Sequence, residues 1–140
     1  MIIMSVDLGD ARTGIAVSDK QEGFAFPKTV INERNKEKLV EKIAAVASDC
    51  GAELLVVGLP KNMDGSLGWR AQECTETAEK IKDKTGLPLV MWDERCTTVM
   101  AHNALNMTDT RGKKRKQTVD AVAAVMILES YLVYRKNQKN

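Results

Sequence analysis

A chain of 140 residues suits one domain with a buried core, and 44% hydrophobic with 29% charged residues is the balance of an ordinary globular protein. A net charge of +2 excludes a polycation, so any nucleic-acid footprint has to be a local patch. Cys50, Cys74 and Cys96 are dispersed without a Cys-x-x-Cys pair, and His102 is the only histidine, which excludes a multi-histidine metal centre and argues for reduced thiols. No basic segment followed by an apolar run opens the chain, and the longest apolar run, Ala121 to Leu128, is too short to span a bilayer. A soluble cytoplasmic protein without membrane association is expected.

The first element is a buried strand ending near Asp7, followed by a glycine-bracketed turn and a second strand reaching Asp19. Ile3, Ser5 and Asp7 alternate with Ile2, Met4, Val6 and Leu8, so Asp7 shares a sheet face with small or apolar neighbours. A carboxylate there is costly to bury without a positive neighbour. Read alone, Asp7 is a turn residue. Gly9 and Gly14 free the backbone on both sides of the turn for close approach of a ligand.

Gln21-Glu22-Gly23 marks the next turn, and Phe24 to Ile31 reads as a third strand whose Pro27 lacks an N–H and so belongs at a sheet edge. A helix opens after Asn32 to Asn35; Leu39, Ile43, Val46, Ala47 and Cys50 share one face, and Gly51 ends it. The apolar run from Glu53 to Gly58 predicts a central parallel strand covered on both faces. A polar loop, Leu59 to Ser66, leads to a helix from about Gly68 to Lys84. A strand from Leu87 to Trp92 then runs into Asp93-Glu94-Arg95. Thr97 or Thr98 can cap a further helix through Asn106. Thr108 to Lys116 reads as a basic loop, and the last helix is expected from Thr118 to about Tyr134, followed by a frayed tail. The order predicts an α/β fold in one domain over residues 1–140: an antiparallel trio of strands joined to a parallel half by right-handed crossovers. The first, fourth and fifth strands then share a direction, and their carboxyl ends meet at the edge where open α/β sheets bind ligands.

Three acids converge on that edge. Asp7 ends the first strand, and Asp93-Glu94 ends the fifth; periodicity cannot choose between the two, because consecutive residues face opposite sides. Between them stands Gly58, which leaves a gap. At about 100° per residue, Asp120 shares the apolar face of the last helix with Ala124, Ile127, Tyr131 and Tyr134, whereas Glu129 falls opposite as a solvated charge. Taken alone, Asp120 could equally be a first-turn acid balancing the helix dipole. Inward carboxylates at one edge repel unless cations neutralise them, and oxygen-only ligation suits Mg²⁺ or Mn²⁺. Two such ions roughly 4 Å apart activate water and stabilise the leaving oxygen in phosphodiester cleavage.

The sequence resembles the YqgF (RuvX) group of the ribonuclease H-like superfamily over nearly its whole length. The resemblance is carried by Asp7-Leu8-Gly9 with Gly14 to Asp19, by Val57-Gly58-Leu59-Pro60-Lys61-Asn62-Met63-Asp64-Gly65, by Asp93-Glu94-Arg95-Cys96-Thr97-Thr98, and by Val119-Asp120 with Ala123-Ala124 and Ile127 to Leu132. It implies a five-stranded mixed sheet flanked by helices. It places the catalytic and metal-binding acids on Asp7, Glu94 and Asp120, choosing Glu94 over Asp93. It also implies a nuclease that matures the 5′ end of the small-subunit ribosomal RNA precursor, in a group also described as Holliday-junction resolvases by analogy with the RuvC fold. Two departures stand out: Asp10-Ala11 where one form of the first loop has Thr-Lys, leaving Arg12 as its only cation, and Met100 where an acid is often found.

For substrate binding, Arg111, Lys113, Lys114, Arg115 and Lys116 just before Asp120 could hold a phosphate backbone, against the bland reading of a solvated basic loop. Arg12, Asn62, Arg95 and Thr98 are secondary candidates at the same edge, and Arg95 could instead pair with a carboxylate. Aromatic residues make up 4% of the chain, too few for a broad base-stacking platform, so recognition should depend on backbone and shape. The expected partner is structured RNA, a ribosomal precursor. The alternatives are branched DNA cut by a symmetric dimer, a non-catalytic RNA-binding assembly factor, and an actin-like phosphotransferase. Monomer and homodimer are both open.

Overall fold

The computed structural model describes residues 1–9, 11–59, 68–93 and 112–139, the side chains of residues 69, 112–121 and 139 excepted. Five strands, β1 (Ile3–Asp7), β2 (Arg12–Ser18), β3 (Ala25–Asn32), β4 (Leu54–Leu59) and β5 (Leu89–Asp93), form one sheet in the order β3-β2-β1-β4-β5. β1–β2 and β2–β3 pair antiparallel, while β1–β4 and β4–β5 pair parallel, which is the mixed sheet expected from the element order. The helices are α1 (Lys36–Cys50), α2 (Trp69–Thr85) and α3 (Gly112–Lys139). The expected helix from Thr97 or Thr98 to Asn106 lies outside the described residues.

β1 and β4 are central because they are apolar on both faces. Met4, Val6, Leu55 and Val57 pack toward α1 and α2 with Leu39, Ile43, Ala78 and Ile81. Ile3, Leu54 and Val56 pack on the other side against Ala124, Ile127 and Leu128 of α3. Each fully buried aliphatic side chain contributes about 1.5–3 kcal/mol, so the sheet sits between two apolar layers. α1 begins where the Asn35 side chain accepts the Lys38 N–H at 3.0 Å and stops at Gly51, whose φ of 73° is the left-handed conformation glycine tolerates best. β3 is an edge strand, as Pro27 requires. Thr29 opposes Ile15 while Pro27 opposes Ala16, so Lys28 is the extra residue of a bulge.

One core position is polar and unsatisfied. Thr13 is fully buried, and its hydroxyl has no hydrogen-bond partner among the described residues. An orphaned buried hydroxyl costs about 1–3 kcal/mol. Thr13→Val keeps the shape and removes the polar atom, so it is expected to raise the melting temperature by about 3 °C, readable by calorimetry.

α3 departs from expectation at both ends. It starts at Gly112, six residues before Thr118, so Lys113, Lys114, Arg115 and Lys116 are helical rather than in a loop. Lys, Arg and Gln are good helix formers and no proline interrupts them, so the helix anchored further along by Ala124, Ile127 and Leu128 extends back through them. At the other end the helix runs on to Lys139, and Arg135, expected in a frayed tail, is tied down. Its Nε donates to Glu22 Oε1 at 2.7 Å, and Glu22 Oε2 also accepts the Met1 ammonium at 3.2 Å. Glu22 has a φ of 59°, uncommon for a non-glycine residue. The turn around it is fixed by Asp19 Oδ1, which accepts the Gly23 and Phe24 N–H groups at 2.7 and 2.9 Å. Those backbone donors, that of Phe24 first, hold the Asp19 carboxyl below its usual range. Among the described residues no helix is long and apolar enough to cross a membrane.

Candidate functional site

The registers place Asp7 in a row across the sheet. Asp7 pairs with Gly14 on β2, and the β1–β4 register, which sets Val6 beside Val57, brings Gly58 next to it on the other side. Gly58 in turn pairs with Trp92 on β5. Asp7 is half-buried and stands between two glycines. Cross-strand neighbours normally bring their Cβ atoms within about 4.5–5.5 Å. Here neither neighbour has a side chain, so no cross-strand Cβ stands beside the Asp7 carboxylate. The polypeptide turn beyond Asp7 is tight: a Cβ on Gly9 would collide with the Arg12 carbonyl oxygen.

The face on which Asp7 lies is the one covered by α3. Two residues earlier, Ser5 Oγ donates to the Ala124 carbonyl at 2.7 Å, and Ile3 belongs to the same apolar cluster as Ile127 and Leu128. α3 runs antiparallel to β1, since Arg135 meets Glu22 and the start of β1 while Ala124 meets its middle. Asp120 is one helical turn before Ala124, and its backbone is therefore carried toward the Asp7 end. Trp92 Nε1 donates to Ser130 Oγ at 3.1 Å, and the Trp92 ring meets that of Tyr131 edge-on at 5.4 Å, which fastens α3 to the far side of the sheet as well.

β5 separates the two consecutive acids. Val90 and Trp92 pack toward α3, whereas Leu89 and Met91 pack toward α1 and α2. Asp93, paired with Leu59, follows the second pair by alternation and so belongs to the face away from Asp7. Glu94, Arg95, Thr98, Asn62 and Arg111 lie outside the described residues. Arg12 opens β2 and is half-buried, and Lys113, Lys114, Arg115 and Lys116 occupy the first turns of α3, at the end nearest Asp120. Asp7 is the one acid of the expected triad whose side chain is described, and among the described residues no group of three metal-ligating side chains occurs.

Sequence reasoning passed over Ser5 and Arg135. The signal for Ser5 was there, a lone hydroxyl inside a buried apolar strand that needs a partner. Arg135 carried none, because its partner Glu22 is 113 residues away. Glu129, expected to be solvated, is half-buried, and burial pushes its carboxyl above the usual range.

Comparison with known proteins agrees with this architecture. A protein of Natranaerobius thermophilus named "Putative pre-16S rRNA nuclease" is 41% identical over 140 residues, covering 100% of this chain and 99% of its own. A protein of Thermoanaerobacter pseudethanolicus with the same name is 38% identical over 139 residues, covering 99% and 100%. Among solved structures, RuvC of T. thermophilus in complex with Holliday junction substrate superposes with a TM-score of 0.61 at 14% identity, over 98% of this chain and 96% of that one, a likeness of fold. The family model described as "RuvX: Holliday junction resolvase" matches residues 1–134. With the β3-β2-β1-β4-β5 sheet and α3 laid across the Asp7 row, this match over nearly the whole length shows that the chain belongs to the RuvX family.

Proposed function

We propose that the chain is a divalent-metal-dependent nuclease of one domain that cleaves phosphodiester bonds in structured RNA, as a maturation enzyme of the pre-16S ribosomal precursor in the cytoplasm. The observation that carries this reading is the position of Asp7: at the carboxyl end of β1, between two glycines, on the face covered by the helix that contains Asp120. The names of its full-length relatives supply the substrate class.

The metal-binding acids are assigned to Asp7, Glu94 and Asp120. The family resemblance chooses Glu94 of the consecutive pair, and the alternation that turns Asp93 toward the other apolar layer supports that choice. The donor set is oxygen only, and two flanking glycines without side chains suit Mg²⁺ or Mn²⁺, which keep part of their water shell. Bound there, two such ions would supply an activated water and neutralise charge on the leaving oxygen. The chain's own residues do the rest. Lys113, Lys114, Arg115 and Lys116 add four positive charges to the positive end of the α3 dipole, an arrangement unfavourable for the helix alone and favourable for holding a phosphate backbone beside Asp120. Arg12, Asn62, Arg95, Thr98 and Arg111 are assigned to orienting the strand at the same edge.

The alternative substrate is branched DNA, favoured by the family description and by the junction-bound RuvC likeness. Precursor RNA and a four-way DNA junction, offered side by side with Mg²⁺, Mn²⁺ or chelator, separate the two. The expected outcome is metal-dependent cleavage of the precursor near its 5′ end with the junction left intact. Symmetric incision of the junction, with the RNA untouched, would move the assignment to DNA. No cleavage of either substrate, with retained RNA binding, would leave a non-catalytic assembly factor.

A further inference from the structure

At the end of the molecule opposite the Asp7 row, the start of β3 and the second half of α3 enclose a groove of about 390 Å³. Its lining includes Phe24, Phe26, Glu129, Leu132, Val133 and Lys136. Three of these are large apolar side chains left open to solvent: Phe24 at 69%, Val133 at 59% and Phe26 at 50% exposure. The two phenylalanine rings lie 6.3 Å apart and tilted, on an edge strand. Apolar side chains gathered so openly on one patch mark an interaction surface.

The charges say what fits it. Glu129, Leu132, Val133 and Lys136 are spaced i, i+3, i+4 and i+7, so they form one stripe along α3. Glu129 and Lys136 are seven residues apart, about 10.5 Å along the helix axis, too far to pair with each other. Among the described residues neither has an ion-pair partner, while the other acid of the groove, Glu22, is engaged by Arg135 and the Met1 ammonium. The stripe is thus acidic at one end, basic at the other and apolar between. Laid antiparallel on a copy of itself about the Leu132–Val133 step, it matches: Glu129 opposes Lys136 of the second copy, Lys136 opposes its Glu129, and the exposed Val133 of each copy lies between these contacts above the buried Leu132. This is the self-complementarity that a two-fold interface demands. A single strand of nucleic acid stacked on the phenylalanines would instead set its phosphates near Glu129, a half-buried carboxylate.

The geometry points to this groove as the contact surface of a homodimer, in which two copies pair antiparallel through the 129–136 stripe of α3 with Phe24 and Phe26 closing its flanks. The surface lies far from the proposed catalytic edge, and its test is independent of nuclease activity. The full chain is examined by sedimentation velocity over a wide concentration range. Wild type is expected to shift with concentration from one chain of 15.5 kDa toward twice that mass. Glu129→Lys and Lys136→Glu each place like charges at both contacts, so each alone is expected to stay monomeric. Mixed in equal amounts they should regain the dimer, because every contact between the two variants is then Lys against Glu. Lys136 is exposed, so Lys136→Glu reads out association even if the half-buried Glu129 position resists lysine. A wild type that stays at the mass of one chain, single variants that dimerise as wild type does, or a mixture that fails to recover would each overturn the proposal. In the first case the groove would be left to another occupant, a basic peptide or a stacked base.

Discussion

Asp7→Asn is expected to lose metal-dependent cleavage by about a thousandfold or more, and to melt higher than wild type when divalent ions are removed. The first effect follows from the assigned role. A carboxylate that would hold the ions supplying the activated water and neutralising the leaving oxygen contributes about 4 kcal/mol or more to the transition state, which is a factor of a thousand. The second follows from placement. Asp7 stands on the face covered by α3, at the end toward which Asp120 is carried, and Glu94 is assigned to the same edge. On that assignment the carboxylates would repel without a cation, and neutralising one of them should recover about 1 kcal/mol, or about 3 °C. Single-turnover cleavage and melting in chelator read the two effects separately. A variant that loses cleavage and also melts lower in chelator would mean that Asp7 holds the turn together and does not face other acids. One that still cuts at the wild-type rate would remove Asp7 from the metal site altogether.

Gly9→Ala is expected to be nearly as damaging to activity, by a different route. The added Cβ would meet the Arg12 carbonyl oxygen, which is backbone and cannot swing away as a side chain could. The turn between β1 and β2 must then open, at a cost of about 1–3 kcal/mol. It opens at the end of β1 that carries Asp7, so the carboxylate moves relative to Gly14 and Gly58. Displacements on the order of 1 Å at a catalytic group can cost about a hundredfold. The expected result is a melting temperature lower by about 3–10 °C and cleavage reduced by about two orders of magnitude. Gly23→Ala is the stability control: its Cβ would have open space, with the Asp19 carboxylate nearest at 3.8 Å, and the melting temperature should not move. Equal losses in the two variants would show that the Gly9 turn is not specially tight.

Much of this architecture was legible in the sequence because local rules and burial agreed. Pro27 announced an edge strand and β3 is one; Gly51 announced a helix stop and is left-handed there; Glu53 to Gly58 announced the centre of the sheet and β4 pairs on both sides. The helical spacing of Ala124, Ile127 and Tyr131 named the face of α3 that packs on the sheet, and all three are buried, whereas Tyr134, expected on the same face, is exposed. What the sequence hid was long-range. Lys113 to Lys116 read as a loop because the stretch is polar, glycine-containing and strongly basic; the apolar contacts of Ala124, Ile127 and Leu128 anchor the helix they extend. Arg135 and Glu129 were misjudged because their surroundings come from the β2–β3 turn, more than a hundred residues earlier. The face on which Asp93 lies also needed the sheet: once Leu89 and Met91 are seen to pack toward α1 and α2, Asp93 follows them.

The kink in β3 has a consequence for how the molecule behaves in a crowded solution. A straight outer strand offers a row of free amides and carbonyls onto which a stranger can zip, and fibres grow that way. Here Pro27 removes one donor and the extra residue Lys28 throws the next groups out of phase, so a second strand cannot run alongside for more than a few bonds. Any assembly built from this flank must go through side chains, where size and charge choose the partner, and not through indiscriminate backbone zippering.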